Sequence, residues 1–268
     1  MSFYTSLNGL KNAQVELNVI AHNIANTETN GFKKSRVEFA DIVAGNSYIN
    51  PKMIQGIGSS VEAINQNFTL GPVEQTGAAL DMAINGDGFF STVNAVTGQT
   101  YYTRNGSFEL DESGYVSDSG KNRLQVFATT GTGFATTPSS ARISSTNAAG
   151  AQFAGVTVSA TGEISASYAD GTNTIVGKVA LASFVAPGGL KQVGSSNWIA
   201  TGLSGVATYG DPGDELYGEL MSGALERSNV DVSEELVGLI TAQRNFQANA
   251  KAIDTATQIS QTVINLRT

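Results

Sequence analysis

The residue types that carry acid–base, nucleophilic or metal chemistry are thinly spread in this chain. It has one histidine, His22, and no cysteine, which removes thiolate metal sites, a cysteine nucleophile and disulfides. His22 stands between Ala21 and Asn23 in a segment patterned as an amphipathic helix. A Ser-His-Asp arrangement would need it held against a serine and a carboxylate in a dry pocket, and a slender terminal helix offers none. Its plainer role is a polar helical residue. Asp87, Asp111, Glu112 and Asp118 lie in glycine-containing loops, but Asp111 to Gly120 lacks the ligand spacing and closing glutamate of a Ca2+ loop. Gly56-Ile57-Gly58 and Gly131-Thr132-Gly133 lack the third glycine and the strand-to-helix setting of a dinucleotide site, and there is no Gly-Lys-Ser/Thr phosphate loop. Phe89, Phe90, Tyr101, Tyr102, Phe108 and Tyr115 fall where strands need cross-strand packing. No catalytic residue, metal ligand or cofactor is assigned, and the chain reads as a non-enzyme.

The elements that would position any such residue are of two kinds. From Met1 to Asn30 the apolar residues Phe3, Leu7, Leu10, Leu17, Ile20 and Ile24 fit one face of a helix, with Asn30-Gly31 as its left-handed stop. A second helix is expected from Asp231 to about Leu266, opened by Asp231 and Glu234 spaced as a capping box. Its stripe is Leu236, Leu239, Phe246, Ala250, Ile253 and Ile264, with Ile240, Ile259, Val263 and Leu266 on a neighbouring face. Gln14, Asn18, Asn23 and Asn26 interrupt the first helix; Gln243, Asn245, Asn249 and Gln258 interrupt the second. Neither is apolar enough to form a core alone, so the two are expected to pair as a coiled coil, leaving the remaining polar residues to face other copies of the chain.

Between the helices the hydrophobic period falls to two. Asp81 to Asn85, Phe89 to Val93, Gln99 to Arg104, Ser107 to Leu110, Tyr115 to Ser117, Arg123 to Ala128, Val156 to Ser159, Ile164 to Tyr168, Thr174 to Phe184 and Trp198 to Ala200 read as strands. Asn105-Gly106 and the Asp111 to Gly114 run read as turns between them. The expected fold is α+β: a discontinuous helical coiled coil built from residues 1–30 and 228–268, and a mainly antiparallel β domain over 78–227. Residues 31–77 read as an extended connection with one strand near Ser60 to Ile64 and a turn at Asn50-Pro51. A Thr/Ser/Ala/Gly-rich stretch marks a small excursion around 129–177.

Composition narrows the partners. The 268 residues carry 15 Lys+Arg and 23 Asp+Glu, a net charge of −8. With no basic block, neither nucleic acid nor an anionic membrane surface is attracted. No apolar run reaches the ~18 to 20 residues of a membrane span, and a cleaved signal peptide is not expected.

Long ordered strings carry a family resemblance. At the N-terminal end these are Leu7-Asn8-Gly9-Leu10, Ile20 to Thr27 including Asn23 and Asn26, and Thr29-Asn30-Gly31-Phe32-Lys33. At the C-terminal end they are Gly223 to Asp231, including Ser228 and Asn229, then Glu235-Leu236-Val237, then Ala242-Gln243-Arg244-Asn245-Phe246 through Lys251. With Asp81 to Phe90 and Tyr102 to Phe108, they resemble the bacterial flagellar axial proteins, the rod and hook subunits. Within that family the Leu181 to Phe184 string, Pro187 to Leu190, Trp198 and the ending Val263 to Arg267 are most similar to the hook. The length is instead that of a distal rod subunit, since many hook proteins insert large outer domains. The resemblance implies terminal helices that pair into an inner tube around an export channel, a β shell outside it, and helical self-assembly into a homo-oligomer of many copies. The function expected from the resemblance is that of a hook subunit, whose polymer is a flexible joint carrying motor torque to the filament; the alternative is a distal rod subunit, part of a rigid drive shaft. It further implies export by the flagellar type III apparatus, and rod, hook–filament junction and hook-cap proteins as neighbours. A rival from another class is a secreted β-rich module that grips a glycan with surface aromatics.

Overall fold

The computed structural model describes residues 2–44, 55–130, 133–214 and 216–266. The turn expected at Asn50-Pro51 and the Gly131-Thr132 pair lie outside them. The chain divides into two compact units: Met1–Thr27, Lys34–Asn67 and Val230–Thr268 form one, and Glu28–Lys33 with Phe68–Asn229 form the other.

The first unit holds α1 (Ser2–Ala25), β1 (Ser35–Ala44), β2 (Gln55–Gln66) and α2 (Val232–Asn265). α1 stops before Asn30-Gly31 because nearby side chains take up its last carbonyls: Asn26 Nδ2 donates to His22 O at 2.8 Å and Thr27 Oγ1 to Ile24 O at 2.8 Å. At α2 the Asp231 carboxylate caps the Ser233 and Glu234 amides at 2.8 and 3.3 Å. The capping box is half made, because Glu234 turns instead to Lys34, at 2.9 Å. The segment read as an extended connection contains an antiparallel pair, β1 with β2, from Ser35 opposite Gln66 to Ala44 opposite Gln55. Register shifts at Glu38/Phe39 and Ile42/Val43 break the alternation of side chains, and the period-two signal of β1 is lost with it.

The second unit is β-rich, and its named strand pairs are antiparallel. Among the described residues a 13-stranded sheet has a main path of eight strands, Phe153–Val158, Glu163–Tyr168, Asn173–Val179, Asn122–Thr130, Phe89–Asn94, Thr100–Thr103, Asn197–Ile199 and Lys191–Gly194, with the other strands pairing off this path. The stretch read as an excursion is therefore part of the main sheet, and Val158, Ile164, Ala166 and Tyr168 enter its apolar cluster with Phe90, Leu124 and Leu181. The expected strand from Thr174 to Phe184 breaks after Val179, and Leu181–Ser183 pairs with Phe89–Phe90 and with Thr208–Gly210. A second cluster surrounds the fully buried Trp198, with Phe68 and Phe89 edge-on at 5.5 and 5.9 Å. Two short pairs tie early chain to late chain: Met82–Asn85 with Glu219–Ser222, and Val73–Gln75 with Ala224–Glu226.

Candidate assembly surface

α1 and α2 pack antiparallel. Gly9 lies against Asn249, where an added Cβ would come within 2.6 Å of the amide oxygen, and Ile20 lies against Gly238. Asn23 Nδ2 donates to Glu235 Oε2 at 3.1 Å. On α2, Gly238 and Ala250 are half-covered beside a row of covered or half-covered positions, Glu235, Leu239, Ala242, Phe246, Asn249, Ile253 and Ala256. The row alternates steps of four and three, the spacing that keeps one face on a partner helix. On α1, Ala13, Ile20 and Asn23 are buried and Leu7, Leu10, Leu17 and Ile24 are half-buried.

Two residues of the expected stripe stand outside this seam: Leu236 is 46% exposed and Ile264 58%. Ala250 is half-buried beside it. Glu235 takes the position that apolarity alone would assign to Leu236. Its burial is supported by Asn23, which also exchanges two hydrogen bonds of 2.9 Å with the Ser35 backbone. Asn23 is thus an internal fastener rather than a residue left facing another copy, because a buried amide must spend its donors and acceptor inside the protein. Gln243 and Arg244 do face solvent, and Asn26 is half-exposed at the end of α1. Val237, Ile240, Ile259, Val263 and Leu266 are also bare, so α2 carries far more exposed apolar surface than a solvated helix needs.

The β-rich unit contains a charge cluster that patterning did not single out. Lys33 and Glu226 are wholly buried, with Lys33 Nζ donating to Glu226 Oε1 at 2.5 Å and to Thr69 O at 2.7 Å. Arg104 Nη1 donates to Glu226 Oε2 at 3.4 Å, and the Gly71 amide to Oε1 at 2.9 Å. Burial pushes the Lys33 and Arg104 cations below their ordinary pKa values while Glu226 opposes the shift. All its members lie within the β-rich unit, Lys33 in its first segment and the others in its second. Lys33 stands beside Lys34 and Glu226 beside Arg227, so nothing local marks which charge of each pair is the buried one. Close by, Gly31 has a φ of +66°, and a Cβ there would meet the Asn105 amide nitrogen at 2.4 Å. Phe32 and Ser228 are buried, and Asn229 donates to Thr69 at 3.2 Å.

The candidate chemical groups have local partners. His22 is exposed on α1 beside Asn26. Asp111 accepts from the Ser113 amide at 2.6 Å, and Asp118 from the Asn122 backbone and side chain at 2.8 Å, the work of turn formers. Among the described residues no group of three or more His, Cys, Asp or Glu side chains converges on a metal position, and no helix is long and apolar enough to cross a membrane.

A paired-helix unit with surplus apolar surface, and a β-rich unit fastened internally by buried ion pairs, define a structural subunit rather than a catalytic one. Comparison with known proteins gives that class its family. Residues 3–33 match the model of the flagella basal body rod protein, 83–166 that of the flagellar hook protein FlgE/F/G D1 domain, and 221–266 that of the flagellar basal body rod FlgEFG protein C-terminal region. The chain is 37% identical over 279 residues to the flagellar basal-body rod protein FlgG of Bacillus subtilis, covering 99% of this chain and 98% of the relative. It is 34% identical to FlgG of Buchnera aphidicola from Acyrthosiphon pisum, covering 99% of each. It is 28% identical to the flagellar hook protein FlgE of Salmonella typhimurium over an alignment of 411 residues, covering 100% of each. The chain belongs to the flagellar rod and hook protein family, whose members are axial structural subunits of the flagellum that polymerise in the basal body or hook and are not enzymes.

Proposed function

We propose that the chain is a tube-building subunit of the rod, a rigid drive shaft around the export channel, delivered without a cleaved signal peptide. The observation that carries this reading is extent: the B. subtilis rod protein is matched end to end in 279 positions, whereas the hook protein needs 411 positions for 268 residues. The central β-rich unit has no surplus length to stand for that difference. The hook, a flexible joint, is the second reading. It is supported by the hook-like strings from Leu181 to Leu190 and by a hook relative that covers the whole chain. Complementation separates them. The full chain expressed in a strain lacking its distal rod subunit is expected to restore rod completion, and not to restore hooks in a strain lacking the hook subunit. Purified polymers should be straight in electron micrographs; uniformly curved, compliant tubes would return the assignment to the hook.

A further inference from the structure

In the β-rich unit the face of the sheet that forms the apolar core does not stay apolar. Alternation puts Phe90, Thr92 and Asn94 on one side of their strand, with Leu124 opposite Thr92 and Asn122 opposite Asn94. Phe90 and Leu124 belong to the core cluster, and a little further along the same face ends in two asparagines. Thr103, opposite Phe90, and Asn197, opposite Thr103, carry that face onward. A cleft of about 240 Å³ opens there, edged by the turns at Ser119-Gly120 and Gly194-Ser195. It has the share of roughly eight waters at ~30 Å³ each, which is also room for a single six-membered ring.

Its walls are rich in carboxamides. Asn94, Asn105, Asn122 and Asn197 line it with one carboxylate, Asp118, and among the described residues no lysine or arginine. Asn94 Nδ2 donates to Asn122 Oδ1 at 3.0 Å, and Asn122 Nδ2 to Asp118 Oδ2 at 2.8 Å. This row is therefore fixed by its own hydrogen bonds. Asn197 is different: it is only 9% exposed, and its side-chain oxygen has no hydrogen-bond partner in the protein. A buried acceptor left unmet is costly, and a ligand that donates to it recovers the cost. Tyr101, half-buried and two residues before Thr103 on the same face, adds an amphipathic ring.

The chemistry of these walls selects the ligand. An anion would meet Asp118 with no cation in the lining to offset it. A cation would give the asparagine amides no acceptor, and both Asp118 oxygens already accept from Asn122. An apolar molecule would leave the amides dry. A hydroxyl both donates and accepts, so it satisfies Asn197 whichever way that amide is turned. We infer that the cleft binds one neutral pyranose ring, with its hydroxyls on Asn197 and on the Asn94–Asn122–Asp118 row and one ring face against Tyr101. This adds a saccharide site to a structural subunit and does not depend on its place in rod or hook.

Saturation-transfer NMR on the full chain tests it, with methyl β-D-glucopyranoside, methyl β-D-galactopyranoside and N-acetyl-D-glucosamine as probes. At least one is expected to bind in the millimolar range, as a few hydrogen bonds in a wet cleft allow. The uronate of the preferred sugar should bind about fivefold more weakly or worse, because its carboxylate faces Asp118. Asn197→Ala and Tyr101→Ala, made separately, should each weaken binding by about tenfold with circular dichroism unchanged. If Asn197→Ala does not fold, Tyr101→Ala at its half-buried position carries the test. A tetrasaccharide of the bound sugar separates the sources: binding equal to the monosaccharide points to the end of a glycan chain, and loss of binding to a free sugar. No binding of any probe at tens of millimolar, or binding that survives Tyr101→Ala undiminished, overturns the inference. Calcium that binds the cleft where the sugars do not would make it a cation site and overturn it equally.

Discussion

At the scale of single residues the decisive feature is Glu226, which accepts from Lys33, Arg104 and the Gly71 amide with no exposure to water. A buried pair returns little net energy over apolar packing, but losing one partner leaves the others charged and dry, at about 3 to 5 kcal/mol. Glu226→Ala is therefore expected to destabilise the β-rich unit by about 3 to 5 kcal/mol in urea unfolding of the full chain. Lys33→Met should cost far less in a chain that already carries Glu226→Ala than in the parent, and equal costs in the two backgrounds would show that the pair is not coupled.

For elements, the distinction that counts is which side of α2 a leucine occupies. Leu239 is half-buried in the seam, while Leu236, three residues earlier, is 46% exposed. Leu239→Asp places a carboxylate between the helices, where desolvation costs several kcal/mol. It is expected to reduce helical circular dichroism and abolish polymerisation while the β signal stays. Leu236→Asp should leave the helix pair of the monomer intact. A monomer in which both changes are equally harmless would show that α1 does not cover α2 through these positions. Periodicity made both helices legible, but it could not say that Glu235 would be turned inward and Leu236 outward. That choice belongs to Asn23, whose amide meets Glu235 across 212 residues of sequence.

On the scale of the whole molecule the two units differ in what holds them. Both apolar clusters lie in the β-rich unit. Among the described residues, the buried apolar side chains of the helical unit are Ala13, Ile20, Val230 and Ala242. Long helices with so little buried surface open locally at lower free energy than a sheet with two apolar clusters. In the isolated monomer, limited proteolysis is expected to cut within residues 2–25 and 232–265 well before it cuts the β-rich unit, and polymerisation should protect those ends. Equal resistance of helices and sheet in the monomer would sink this picture.

What the amino-acid sequence determined is what is local. The heptad-like stripes, the cap at Asp231, most strand positions and the turn chemistry of Asp111 and Asp118 depend on neighbours within a few residues, and the ordered strings at both ends were enough to reach the family. Tertiary structure decided what depends on residues far apart: the pairing of Met82–Asn85 with Glu219–Ser222, the burial of Lys33 against Glu226 across 193 residues, and the two register shifts that hide β1. It also decided that Gly133–Ser140, Phe153–Val158 and Glu163–Tyr168 join the main sheet. The physical reason is that period and turn type are written in backbone preference, whereas burial of a charge or choice of strand partner is a competition among distant groups that only the folded chain resolves.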